Sequence, residues 1–297
     1  MLIADARFSQ IFCLLLFLGL GIFTRDWSLQ PVNIGVTILT CLTVQTGWML
    51  ACRREVSALV SSLPSALITS LGLSLLLRAE SWLPMALAGS IAISSKFLFR
   101  VNHKHLFNPS NFGIVIALTL TSAWVSPGQW GEESSYALLF LGLGGLVTKL
   151  AGRWDTTGLF LGSYAGLEAA RNLWLGWSWD VWLHRLSSGS LLVFAFFMIT
   201  DPRSIPDSRT GRMIWALGIA GLTFWLRNFC FISTAAFWAL FLLAPLGSLI
   251  DRLWPAARFT WQPPIKADAK SDAKPDAKSE SEANVTLQYS QHSPGIL

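Results

Sequence analysis

The chain has 297 residues, of which 53% are hydrophobic and only 13% are Asp, Glu, Lys or Arg, and its mean hydropathy is +0.50. A soluble domain carries about 25% charged residues, so too little polar surface is available here for a soluble globule, and the composition points to a polytopic membrane protein with the lipid bilayer as its first partner. The formal charge of +5 arises before residue 253, because the last 45 residues hold five basic and five acidic side chains, and nothing in it points to nucleic acid.

Apolar runs separated by charged or Gly, Pro and Asn punctuation fall at residues 8–24, 32–51, 56–77, 82–98, 111–125, 134–150, 158–176, 186–200, 213–226 and 229–250. They predict an all-α bundle of about ten transmembrane helices, since backbone polar groups in lipid are satisfied only within helices or closed barrels. Several runs are short against the ~20 residues that cross the hydrocarbon, so their helices extend into the flanks. No small-residue cleavage site follows the first run, which is read as a span and not as a signal peptide. Cys13, Cys41, Cys52 and Cys230 lack metal or CxxC spacing, and the three that fall inside apolar runs, Cys13, Cys41 and Cys230, read as small buried hydrophobes.

Numbering the loops between runs gives ten Lys and Arg in the even loops (Arg53 to Arg212) and four in the odd ones (Arg25, Arg78, Arg185, Arg227). This alternation places both termini in the cytoplasm. Nine of the 15 Trp lie in or near odd loops and read as an outward aromatic belt, although the Trp174 to Trp182 cluster has the composition to stack a flat cofactor or quinone. Residues 1–255 form the membrane domain. Residues 256–297, where Lys266, Lys270, Lys274 and Lys278 alternate with Asp268, Asp272 and Asp276, have too few apolar side chains to repay the entropy of folding and read as a disordered cytoplasmic tail.

Two stretches carry candidate chemistry. Lys96 to Gly113 holds basic residues and His103 and His105, then the turn Phe107-Asn108-Pro109 leading into a span. Cations beside free helix N-terminal N–H groups suit an anion such as a phosphate, and equally suit a plain positive-inside anchor with an N-cap. Phe194 to Arg212 closes one span with Asp201-Pro202 and opens the next with Thr210-Gly211-Arg212 on the same predicted face. The site expected from the two is Lys104, Asn108, Asp201, Arg203 and Arg212, with Asp201 orienting Arg203 or Arg212 and not touching the anion itself.

These stretches resemble the membrane-subunit family shared by the D subunit of the Rnf electron-transport complex and the B subunit of the sodium-pumping NADH:quinone reductase. The likeness rests on Phe107-Asn108-Pro109, a degenerate Ser188-Gly189-Ser190-Leu191, Phe196 to Pro202 with Gly211-Arg212, and Ala244-Pro245-Leu246 leading to Asp251. It implies a non-autonomous subunit of a flavin- or quinone-linked redox complex in the bacterial cytoplasmic membrane, with other membrane and peripheral redox subunits as partners and cation movement as the coupled process. It also implies FMN attached to a threonine in an insertion after the Asn-Pro-led span. Here the residues between Trp124 and Tyr136 include no threonine, so noncovalent flavin, or a paralogue serving another electron-transfer or biosynthetic system, is the expectation, with quinone as a further candidate cofactor.

Within the seventh run Glu168 and Arg171 are spaced i and i+3 and share a helix face. A lone charge in mid-bilayer costs ~2.5–3.5 kcal/mol, so they are expected either to pair with each other or to let Glu168 line an ion route with Arg171 as its tuner. The sequence shows no catalytic nucleophile set and no metal cluster among its four His. It also shows no inverted repeat of the kind secondary transporters carry. A transporter, or an accessory protein of a redox or biosynthetic system, stands as the alternative.

Overall fold

The computed structural model describes residues 6–24, 29–102, 104–126 and 134–259. His103, Arg25, Trp27, Trp130 and the tail from residue 260 lie outside them. Among the described residues the chain forms α1 (Ala6–Thr24), α2 (Pro31–Ala51), α3 (Val56–Leu76), β1 (Leu77–Arg78), α4 (Trp82–Leu98), β2 (Arg100–Val101), β3 (Lys104–His105), α5 (Pro109–Leu120) and β4 (Trp124–Val125). Then come α6 (Ser134–Leu150), α7 (Trp154–Leu175), α8 (Trp179–Leu186), α9 (Gly189–Val193) with a π segment (Phe194–Met198), α10 (Arg209–Asn228) and α11 (Ala235–Leu253). Each of the ten apolar runs falls on a helix. The amphipathic α8, which buries none of its residues, had no counterpart among them.

By length and composition α2, α3 and α11 are apolar enough to cross a bilayer, and α8 with α9 and the π segment makes a fourth candidate bent by 51°. The apolar core is a single cluster drawn from the helices, with Phe17, Phe140, Phe160, Tyr164 and Phe194 among its largest buried side chains. Cys13 and Cys41 are buried as expected, but Cys52 and Cys230 are exposed. Cys230 counted as part of an apolar run, yet residues 229–234 form the loop ahead of α11.

The order of packing repeats. In the first half α2 packs on α4 and α4 on α5, with α1 on α3; in the second α7 packs on α10 and α10 on α11, with α6 on α9. The buried faces share a register: Asn33, Thr37, Cys41, Gln45 and Met49 in α2 correspond to Thr156, Phe160, Tyr164, Glu168 and Asn172 in α7. The direction is reversed. The start of α2 lies at the β1 end, where Asn33 Nδ2 donates to Ala79 O at 3.0 Å, and β1 pairs with β4 beyond the end of α5. The start of α7 lies at the opposite end, where Asp155 meets Arg212 at the start of α10. The expectation of no inverted repeat is therefore corrected. The repeat is written in the spacing of buried positions and not in their chemistry, which pairs Cys41 with Tyr164 and Gln45 with Glu168.

Helices α5 and α11 meet near their N-termini, where Asn111 Nδ2 donates to Phe237 O at 3.0 Å. Helix α5 can approach α4 this closely because Gly113 carries no side chain: a Cβ there would sit 2.7 Å from Ala88 O and 2.8 Å from Ala92 Cβ. Gly113→Ala is therefore expected to push α5 off α4, lowering stability by about 1–3 kcal/mol, read as a fall in the thermal midpoint of the purified protein. Gly218→Ala, whose added Cβ has ordinary contact distances, serves as the control and should leave the midpoint in place.

Candidate functional site

The β2–β3 hairpin pairs Arg100 with His105 and Val101 with Lys104, and then delivers the chain to Asn108. Asn108 is the N-cap of α5: its Oδ1 accepts from Asn111 N at 3.0 Å, and Pro109 at the first helical position needs no donor of its own. Its Nδ2 donates to Met198 O at 3.2 Å and to Asp201 Oδ2 at 3.4 Å. Asp201 also accepts from Arg203 N at 3.2 Å and from Ser204 Oγ at 3.1 Å. Asp201 thus closes its own turn. It holds the backbone of Arg203, whose side chain is exposed, and it makes no contact with Arg212.

The other cations are held by carboxylates that the sequence reading did not assign to the site. Lys104 Nζ reaches Asp251 at 2.7 Å, Asp207 at 3.2 Å and Ile205 O at 2.6 Å. Asp251 in turn accepts from Asp207 N at 2.7 Å. Arg212 donates to Asp155 at 2.7 Å and to Asp207 O at 2.8 Å, while the more exposed Arg209 lies 3.7 Å from Asp155. The structure therefore gathers Lys104, Asn108, Asp201, Arg203 and Arg212 at one end of the bundle as two adjoining networks. One ties the start of α5 to the π segment; the other ties β3, α7, α10 and the end of α11. A helix-start Asp such as Asp155 is a legible signal on its own, but its pairing across 57 positions with Arg212 is not.

Electrostatics follow from that packing. Burial alone would raise the Asp155 carboxyl, but the hydrogen bond and charge of Arg212, with the Thr156 N–H and hydroxyl, hold it below its ordinary value. Burial and then the Arg212 charge push Arg153 down to about 10. Burial, followed by the charges of Lys96, Arg203 and Arg100, pushes His105 down to about 3. In the folded protein His105 is neutral, and the unfolded chain binds the extra proton between about 3 and the ordinary 6.5. Its contribution to stability is complete above pH 6.5 and declines as the pH falls toward 3.

At the other end of α7 and α10, Glu168 is 2% exposed. It accepts from Arg185 at 2.8 Å and from Asn228 Nδ2 at 2.8 Å, and Arg185 also reaches Asn228 Oδ1 at 2.8 Å. The expected Glu168–Arg171 pair does not form. Arg171 instead stacks 4.7 Å over Trp177, whose ring also lies 5.4 Å from Arg185. The sequence distance of 17 hid Arg185: α8 folds back on α7, fixed by Trp182 Nε1 donating to Ala165 O at 2.9 Å. Beside this triad a groove of about 540 Å³ runs between α7 and α10, lined by Leu167, Trp174, Phe224, Phe229 and Arg171. Among the described residues no group of three or more His, Cys, Asp or Glu could hold a metal ion.

Residues 117–260 match the model of the NQR2, RnfD, RnfE family. The D subunit of the ion-translocating oxidoreductase complex of Stutzerimonas stutzeri is 34% identical over 43% of this chain and 36% of its own length. The proteins of the same name from Pseudomonas paraeruginosa (strain DSM 24068 / PA7) and Pseudomonas aeruginosa (strain LESB58) are 28% and 27% identical, each over 70% of this chain and 78% of their own. The family match includes the Phe196 to Pro202 stretch and starts after Phe107-Asn108-Pro109.

Removing Arg185 leaves a buried carboxylate without its cation, so Arg185→Ala is expected to cost ~3–5 kcal/mol, with most of it recovered in the Glu168→Gln double variant. Arg171→Ala should cost only about 0.5–1 kcal/mol, the worth of an exposed stacking contact. Thermal midpoints of the four proteins check the assignment, and equal losses for the two arginines would refute it. Acidification from pH 7 to 5 should lower the midpoint of the parent protein, and His105→Gln should flatten that dependence, which has a ceiling of about 1.4 kcal/mol per pH unit for one group.

Proposed function

Because this chain is RnfD-like, we propose that it is a membrane subunit of an ion-translocating oxidoreductase complex, acting with other membrane and peripheral redox subunits and not as an autonomous enzyme. The observation that carries the reading is the length over which the two Pseudomonas relatives align with it. In this reading the ten helical runs are ten spans of a bacterial cytoplasmic membrane with both termini inside, and the Lys104 end faces the cytoplasm.

At that end Lys104, Arg209 and Arg212 are paired with carboxylates, whereas the exposed Arg203 is available to an anionic group of a cofactor or partner, with Asn108 and Asp201 holding the loop that presents it. A flavin bound here is noncovalent, since the segment that carries the attachment threonine in the family has none in this chain. The apolar groove beside Arg171 suits a quinone, with an aromatic wall for the ring and a guanidinium for a carbonyl oxygen. Cation movement along α7 requires Glu168 to exchange Arg185 for the ion, so that the triad acts as a closed gate.

The tagged protein should co-purify from membranes with flavin-containing redox subunits, and membranes lacking it should lose redox-driven ion movement while total flavin stays nearly unchanged. A chain that purifies alone, from membranes whose electron transfer survives its deletion in full, would falsify the proposal. The inverted halves favour a second reading, in which the chain by itself forms a transport path. Ion flux through liposomes holding this chain alone, with no electron donor, would select it.

A further inference from the structure

At the end of the bundle that carries Glu168, Ser188, Ser190, Thr223, Arg227 and Ser233 line a partly open cavity of about 30 Å³ bordered by the first turn of α11. Thr223 is 1% exposed, and its buried hydroxyl has no hydrogen-bond partner. Arg227 has no carboxylate partner among the described residues. Helix α11 is 19 residues long and begins here at Ala235; its N-cap, Thr234, makes no side-chain cap, and Thr234 O accepts from Phe237 N at 3.1 Å and Trp238 N at 3.4 Å, which leaves the N–H groups of Ala235 and Ala236 at the cavity wall with the positive end of the helix dipole. A buried hydroxyl left unsatisfied is destabilising, and an occupant of the cavity that accepts its hydrogen bond would relieve that.

The other half of the repeat shows what such a corner looks like when it is filled. The buried positions Met85, Ala88, Gly89, Ala92, Ile93 and Lys96 of α4 have the same spacing as Arg212, Trp215, Ala216, Ile219, Ala220 and Thr223 of α10. Lys96 thus stands where Thr223 stands. Its ammonium donates to Ser65 O at 3.1 Å and Ser65 Oγ at 3.4 Å, filling the corner from within. In the second half the shorter threonine leaves the space open, with hydroxyls and an arginine around it.

We propose that this cavity binds a small inorganic anion of about chloride size, held by the Arg227 guanidinium, the Thr223 and Ser233 hydroxyls and the Ala235 and Ala236 N–H groups that open α11. No carboxylate is among the residues that line it, and Arg227 with the helix N-terminus opposes a cation. One water needs about 10–15 Å³ of such space, so the volume takes one monatomic ion and not a nucleotide. The Ser188 and Ser190 hydroxyls lie 2.9 Å apart and are joined by a hydrogen bond along the wall of the cavity.

The test is equilibrium binding of radiolabelled chloride to the detergent-solubilised full chain, with gluconate holding ionic strength constant. Saturable binding is expected, weakened at least tenfold in Thr223→Val and in Arg227→Gln, and retained in Thr223→Ser, which keeps the hydroxyl. Thr223→Lys should abolish it by filling the corner as Lys96 does. Helical circular dichroism and monodisperse elution identify folded variants, and the parent isotherm together with Thr223→Ser decides the matter if the other variants fail to fold. Absence of saturable chloride binding, or equal binding by the parent, Thr223→Val and Arg227→Gln, would show that the cavity holds water and overturn the proposal.

Discussion

Two asparagine side chains at the start of α5 hold the halves of the molecule in register. A helix that begins inside an apolar bundle exposes N–H groups which lipid cannot satisfy. Asn108 meets one of them with its own carbonyl oxygen and donates its amide to Met198 and Asp201. Asn111, one turn on and 1% exposed, donates its amide to Phe237 of α11. The two therefore tie α5 to the π segment and to α11, both in the second half. Everything at the Lys104 end, including the alignment of Lys104 with Asp207 and Asp251, depends on that depth and direction of α5.

Charge compensation follows the same logic. Lys96 is engaged by Ser65, Arg212 by Asp155, and Glu168 by Arg185 and Asn228. A charge taken out of water is costly, and an attraction in the low-dielectric interior offsets that cost only when the geometry is good and the remaining lone pairs are met. The result is a bundle stitched at both ends by ion pairs that join segments distant in sequence.

The two halves have the same packing order and opposite direction, yet their corresponding positions have diverged in chemistry. Lys96 and Thr223 occupy equivalent places in α4 and α10, and Gln45 and Glu168 in α2 and α7. In the half with Gln45 the Lys96 side chain fills its own corner. The half with Glu168 and Thr223 carries a buried acid and an open corner.

Helices were legible in the sequence because continuous apolar runs of this length between charged loops satisfy their backbone groups within helices; α4, from Trp82 to Leu98, and α6, from Ser134 to Leu150, begin and end where hydrophobicity does. The turns at Asn108-Pro109 and Asp201-Pro202 were legible for a related reason, since Asn and Pro encode a helix start and Asp a local turn through their own hydrogen bonds. Partners were not. Arg171 is one turn from Glu168 and Arg185 is 17 positions away, yet the fold-back of α8 brings the distant one to 2.8 Å. The same holds for Lys104 with Asp251, separated by 147 positions, and for the inverted repeat, whose register shows only when buried faces are known. Local periodicity and turn chemistry act over a few residues, so the sequence by itself determined the helices and their caps, while the choice of ion-pair partner and the reversal of the halves arose from packing between segments far apart, which only the tertiary structure decided.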